Sequence, residues 1–234
     1  LRRVQEVALP ADTQASLVEA VLAAARPQDI PLLLNPRTFT VGTAYDAGAH
    51  ARALSQLDTL GRDLGLKPAQ DISPALGPLL TSADPSVRSA AARLIGRWQI
   101  SALESELVQL VESSEATDSV RAGAIVGLAV FSSAEHTARI VRAAGPGASP
   151  LLKSAAAGAL PARDLNAASR IAAEVLAHES NPASLEAIVA PILRHSGGAV
   201  ALAKALQVTT PHPESARALA GFLAQAGRHV PELT

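Results

Sequence analysis

Apolar and polar positions alternate along this chain at two periods. Within a segment, apolar or small residues recur every three to four positions, the period of an α-helix. From one segment to the next, the same arrangement returns. The first set is Val87, Ala91, Leu94 and Ile95, and the second Val120, Ala124, Gly127 and Leu128. Leu152, Ala156, Ala159 and Leu160 form the third, and Leu185, Val189, Ile192 and Leu193 the fourth. The fifth is Ala216, Ala220, Leu223 and Ala224. The leading positions, 87, 120, 152, 185 and 216, lie 33, 32, 33 and 31 residues apart, and a charged residue follows each: Arg88, Arg121, Lys153, Glu186 and Arg217.

Helix-start signals support this register. Asp84-Pro85, Ser149-Pro150 and Asn181-Pro182 each place a capping side chain before a proline, whose missing N–H costs nothing in the first turn. Thr117 or Asp118 serves the second copy, and His212-Pro213 stands at the same point in the fifth. Further helices are predicted between these: a short one over 72–81, then 101–113, 134–144, 165–177 and 199–207. Ser101 and Glu104 have the spacing of a capping box. Each repeat is therefore read as two antiparallel helices. One such pair cannot bury both of its apolar stripes, but a stack of pairs can. The expected fold is all-α, an α-solenoid of about six helix pairs with the first atypical.

Residues 1–70 depart from the repeat and are read as N-terminal capping helices with an irregular loop; residues 71–234 are read as five continuous pairs. Helices are predicted over 12–26 and 43–64, separated by "PQDIPLLLNPRTFTVG", which carries three prolines and no helical period.

"DPSVRSAAARLIGRW" and "DSVRAGAIVGLAVF" resemble HEAT-like repeats, in which Asp-x-x-Val-Arg leads into an Ala-rich helix. That resemblance spans about residues 72–226 and implies a scaffold of stacked helix pairs. More narrowly, "ILRHSGGAVALAKALQ" and "ARALAGFLAQAGRHVPELT" resemble the HEAT region of bacterial membrane-bound dehydrogenase-like proteins. The narrower resemblance implies an exported spacer between a β-propeller and a c-type cytochrome domain. The chain itself has no C-x-x-C-H, so no haem site and no redox step are assigned to its residues.

Composition agrees with close helix packing. Apolar residues make up 48% of the 234 positions but aromatic ones only 2%. The apolar mass is chiefly Ala, Leu and Val, which suits helices at short range better than large sheets. The net charge of −1 offers no basic surface for nucleic acid. No apolar run is long enough to predict a membrane span. Without cysteine there are no disulfides and no thiolate chemistry. Without methionine the chain is expected to be a piece of a longer polypeptide.

Candidate chemistry is sparse. His50, His136, His178, His195, His212 and His229 are scattered, none four residues from another, and are read as solvated or capping groups. Glu104, Glu106, Glu112 and Glu115 are read as an exposed helix face, and Asp84–Arg88 with Asp118–Arg121 as a ladder of surface ion pairs. No phosphate loop or nucleophile elbow is present. Two features stand out as candidate interaction surface. One is the stretch 31–42, with Leu33, Arg37 and Phe39; the other is Trp98 with Arg88 and Arg121. Trp98 is otherwise a buried corner residue, and the stretch a seal on the open end of the core. The reading is a scaffold or spacer that contacts proteins or neighbouring domains, with no catalytic residues, cofactor or metal. Its rival is a HEAT-like lyase or DNA glycosylase, which would need a basic, aromatic-lined groove.

Overall fold

The computed structural model describes residues 20, 23, 24, 26–178 and 182–225, and of 182–184, 224 and 225 the backbone alone. The predicted Asn181 cap, His229 and most of the helix over 12–26 lie outside these residues. By contact the chain forms two compact units, Leu1–Leu128 and Ala129–Thr234.

Unit 1 begins with a compact turn of short elements. A 3-10 turn at Pro27–Asp29 leads into α1 (Ile30–Leu34), another 3-10 turn (Pro36–Phe39) and a hairpin of β1 (Thr40–Val41) and β2 (Ala44–Tyr45). The strands pair antiparallel, Thr40 opposite Tyr45 and Val41 opposite Ala44. The stretch predicted to be irregular is thus a series of one-turn pieces, because Pro27, Pro31 and Pro36 each restart the backbone. Then follow α2 (Ala47–Asp63), α3 (Ser73–Leu76) with a 3-10 extension at Gly77–Thr81, α4 (Pro85–Arg97), α5 (Glu104–Glu112) and α6 (Asp118–Leu128).

In this unit α2, α4 and α6 pack side by side, while α3 with its extension lies against α4, and α5 against α6. The first two repeat sets point inward: Val87, Ala91, Leu94, Ile95, Val120, Ala124 and Leu128 are all fully buried. The closest approach is between α4 and α6. A Cβ added to Gly96 would lie 2.4 Å from the Gly127 Cα, one on Gly127 would lie 2.3 Å from the Ala92 carbonyl oxygen, and one on Gly123 would lie 2.6 Å from that of Ser89. Residues 89 to 96 therefore run beside 119 to 127 in the same direction, and the Ser89 hydroxyl donates to the Ser119 carbonyl across the seam. Small side chains at these positions let two backbones meet.

Unit 2 contains α7 (Ala134–Ala143), α8 (Pro150–Ala159), α9 (Leu165–Leu176), α10 (Pro182–Leu193), α11 (Gly198–Val208) and α12 (Pro213–Gln225). Here α10 packs against α8 and α12, α9 packs against α11, and α8 and α9 also meet. Leu152, Ala156, Leu160, Leu185, Val189 and Ile192 are buried, as their spacing predicts, while Ala159 and Leu193 of the same two sets stay partly exposed.

The fifth set is corrected. Ala216 and Ala220 are exposed, and Ser215, Leu219 and Leu223 face the core. The helix start explains the shift. Val87 and Leu152 stand two residues after Pro85 and Pro150, and two residues after Pro213 is Ser215. Hydrophobicity pointed to the alanine; the proline sets the rotation.

Three of the predicted caps form. The Asp84 carboxylate accepts from the amides of Ser86 (2.8 Å) and Val87 (3.2 Å), the Ser149 hydroxyl accepts from Leu152 N at 3.4 Å, and His212 Nδ1 accepts from Glu214 N at 3.3 Å. The Ser101–Glu104 capping box does not form. Residues Ser101–Leu103 make a 3-10 turn, and Leu103, whose side chain cannot accept a hydrogen bond, occupies the N-cap of α5.

Candidate interaction surface

The six residues singled out from the sequence lie in unit 1. Leu33 and Phe39 are each 3% exposed and belong to the core under the N-terminal turns, so they present no outward face. Arg37 is exposed; its backbone amide donates to the Asn35 side chain, which caps the 3-10 turn.

Arg88 and Arg121 are half-buried and share one role. Arg88 Nε donates to the Leu80 carbonyl at 3.0 Å, and Arg121 Nε donates to the Val111 carbonyl at 3.2 Å. Each acceptor lies in the last turn of the preceding helical element, where carbonyls lack partners within the helix. The cation after each leading apolar residue thus ties down the end of the helix before it, and favours the negative end of that helix's dipole. The expected Asp84–Arg88 rung is replaced by this bond, with Asp84 serving as a cap. The Asp118–Arg121 rung exists at 3.8 Å, and such a surface pair contributes about 0.5 kcal/mol.

Trp98 closes α4. Its indole N–H donates to the Leu66 carbonyl at 2.9 Å, which pins the connector between α2 and α3 to the end of α4. The next residue, Gln99, has φ +54°, a left-handed conformation that side chains other than glycine adopt at a cost. It holds because Ile100 N donates back to the Ile95 carbonyl at 2.9 Å, ending the helix sharply. The turn and the connector enclose an open cleft of about 370 Å³ lined by Pro68, Gln70, Asp71, Ser73, Trp98, Gln99 and Ser101, among others. Asp71 lies at its edge. Hydrogen bonds from the Ser73 hydroxyl (2.6 Å) and amide (2.9 Å) hold its carboxyl below the usual carboxylate range. The cleft therefore offers an indole face, two amides and one carboxylate.

Trp98 stands out in the sequence, whereas Gln70, Asp71 and Gln99 do not. "GLKPAQD" reads as a connector, and nothing local shows that it folds back onto the end of α4. The left-handed turn was visible only as the missing helical period after Trp98. Gln99→Gly should stabilise the chain by about 0.5–1 kcal/mol, since glycine takes positive φ without strain. A denaturation midpoint unchanged or lowered in that variant would show that the Gln99 side chain makes compensating contacts.

The other titratable groups are dispersed. His50 is fully buried, contrary to the expectation of a solvated or capping residue, because its ring stacks on Phe39 with centroids 4.3 Å apart. His136 is buried, and His178, His195 and His212 are exposed. In unit 2, Lys153 Nζ donates to Glu174 Oε2 at 2.6 Å, joining α8 to α9 beside His178. Among the described residues no three of His, Asp and Glu gather where they could hold a metal ion. None of the described helices is long and apolar enough to cross a membrane.

Comparison with known proteins adds one finding: residues 72–161 match the family of HEAT repeats. No curated protein and no solved structure matches the chain. The narrower likeness to dehydrogenase–cytochrome proteins gains no support from these comparisons. The matched stretch runs from the start of the α3 segment to just past α8, and includes the seam where α4 and α6 meet. Together with the helix-on-helix stacking inside each unit, this match supports an all-α fold of HEAT-like helix pairs, the α-solenoid class.

Proposed function

We propose that this chain is a non-catalytic scaffold or spacer that engages a protein, or a neighbouring domain of its own polypeptide, through the cleft at the end of α4. The observation that carries the reading is the pinned Trp98 corner. A large aromatic is held half-exposed by a backbone hydrogen bond, beside the amides of Gln70 and Gln99. Aromatic side chains in such settings are the usual anchors of protein interfaces, and rigid ones lose little entropy when a partner closes over them. The exposed Arg37 and the outer parts of Arg88 and Arg121 supply positive charge elsewhere on the same unit. HEAT repeats commonly act as scaffolds, which favours binding over chemistry.

The test is site-specific photo-crosslinking in the native polypeptide. A photoreactive residue in place of Gln70 should capture a defined protein or neighbouring domain, whereas one in place of Gln109, on the exposed face of α5, should not. Equal capture at both positions, or none at Gln70, refutes the cleft as the interface.

A further inference from the structure

His50 occupies the first turn of α2 and is completely buried. Its ring lies between two aromatic side chains from the segment that precedes the helix. Phe39 stacks on it, and the Tyr45 ring stands edge-on at 5.9 Å. The Tyr45 hydroxyl is 2.7 Å from Nδ1. Burial, with Asp84 and Asp46 acting in the same direction, pushes the Tyr45 phenol pKa up, so the phenol keeps its proton and can donate it. That bond suits a neutral imidazole whose own proton sits on Nε2. Nε2 is buried without a hydrogen bond of good geometry.

No anion is placed to welcome a second proton. Asp46 is engaged at the N-terminus of α2 through the Ala49 amide, Asp84 caps α4, and Asp29 pairs with Arg26 at 2.7 Å. The remaining charges on the packed elements are mostly cations: Arg37 on the 3-10 turn, Arg52 on α2, and Arg88, Arg93 and Arg97 on α4, the last paired with Asp58. A charged imidazole here would have to reverse that bond, Nδ1–H donating to the Tyr45 oxygen, and would remain desolvated with no anion beside it.

We propose that the segment from Ile30 to Asp46 is an acid-released end cap: protonation of His50 detaches it from α2 while α4, α5 and α6 stay packed. The device is local because the contacts at stake, His50 with Phe39 and Tyr45, all join that segment to α2. Releasing it uncovers Leu33, Leu34, Phe39 and the α2 face they cover.

The sign follows from burial. Desolvation lowers the His50 pKa from 6.5 to about 4, and the Leu33 backbone, which favours the charged form, offsets this in part. Between those values the open cap binds a proton that the closed cap does not. The closed form is therefore fully favoured above pH 6.5 and loses its advantage as pH falls toward 4. In that window the open-to-closed ratio rises by up to about tenfold per pH unit.

Hydrogen exchange of the full chain between pH 7 and pH 5, corrected for the intrinsic pH dependence of exchange, reads this ratio directly. Ordinary carboxylates stay largely ionised over that range. The amides of Asp46 and His50, bonded to the carbonyls of Phe39 and Asp46 respectively, should lose protection by up to about tenfold per pH unit. Amides within α4 and α6 should not. In His50→Phe, which keeps a ring against Phe39 but cannot be charged, the extra slope should vanish. A slope that persists in His50→Phe, or that is shared by α4 and α6, overturns the proposal. Should His50→Phe not fold, the imidazole proton resonances of the unsubstituted chain decide. Titration of His50 in step with exchange at Asp46 supports the cap, and titration without any change in exchange refutes it.

Discussion

Gly127→Ala should destabilise unit 1 by about 2 kcal/mol or more, whereas the same change at Gly158 or Gly221 should stabilise unit 2 by about 0.5–1 kcal/mol. All three glycines sit inside helices, where alanine is intrinsically better by about 1 kcal/mol. What separates them is the neighbour. A Cβ on Gly127 would lie 2.3 Å from the Ala92 carbonyl oxygen, a backbone atom that cannot turn aside. At Gly158 the nearest atom, the Ala187 carbonyl oxygen, is at ordinary contact distance, 3.6 Å, and at Gly221 nothing lies within 4 Å. Alanine at 127 must therefore push α4 and α6 apart, and with them the packing of Leu94, Ile95 and Leu128. Gly96→Ala should behave like Gly127→Ala, since it strikes the other side of the same seam. Unit 1 can be followed by the fluorescence of Trp98, the chain's only tryptophan, and both units by circular dichroism in denaturant. If Gly127→Ala proved as stabilising as Gly158→Ala, the two helices would not meet backbone to backbone.

Leu107→Ala should cost about 3 kcal/mol, and Leu110→Ala, three residues along the same helix, less than about 1 kcal/mol. Both leucines are apolar positions of the helix predicted over 101–113, and nothing in the sequence ranks one above the other. The structure separates them: Leu107 is fully buried, and Leu110 is partly exposed. Leu107 fills the space beside Gly127; its Cδ1 would lie 3.3 Å from a Cβ added there. Truncating it leaves a cavity between α5 and α6, and the Gly127–Ala92 contact prevents α6 from tilting to close it. Denaturation monitored at Trp98 compares the two variants. Similar costs for both would mean that α5 is rotated from the position described.

Gly127 and Leu107 together show how the repeat works. One layer of helices comes close through small residues, and larger leucines from the helix beside each fill the flank. This explains a core rich in alanine and poor in aromatic side chains without invoking chemistry. It also accounts for the Val-Arg step in the first two copies. The valine enters the core, while the arginine, one position around the helix, reaches the carbonyls that end the preceding element. Copies without arginine solve the problem differently. Lys153 pairs with Glu174, and Arg163, in the turn after α8, donates to the carbonyls of Ala129 and Val130.

The sequence by itself determined what depends on neighbours along the chain. Helix periodicity, the caps at Asp84 and Ser149, and the inward side of the first four repeat sets follow from backbone geometry over a few residues, so they were legible in one dimension. Where a local signal conflicted with another, as at Pro213 and Ala216, it was the helix start and not the apolar residue that governed rotation. Tertiary structure alone decided what depends on residues distant in sequence. Phe39 and Tyr45 turned His50 from a solvated side chain into a buried, neutral one. The connector before α3 folded back on Trp98 and made a cleft that no motif announced, and Ala92 gave Gly127 its importance from 35 positions away. A glycine, a histidine or a tryptophan carries no mark of which backbone will come to lie against it; that is fixed only when the helices pack.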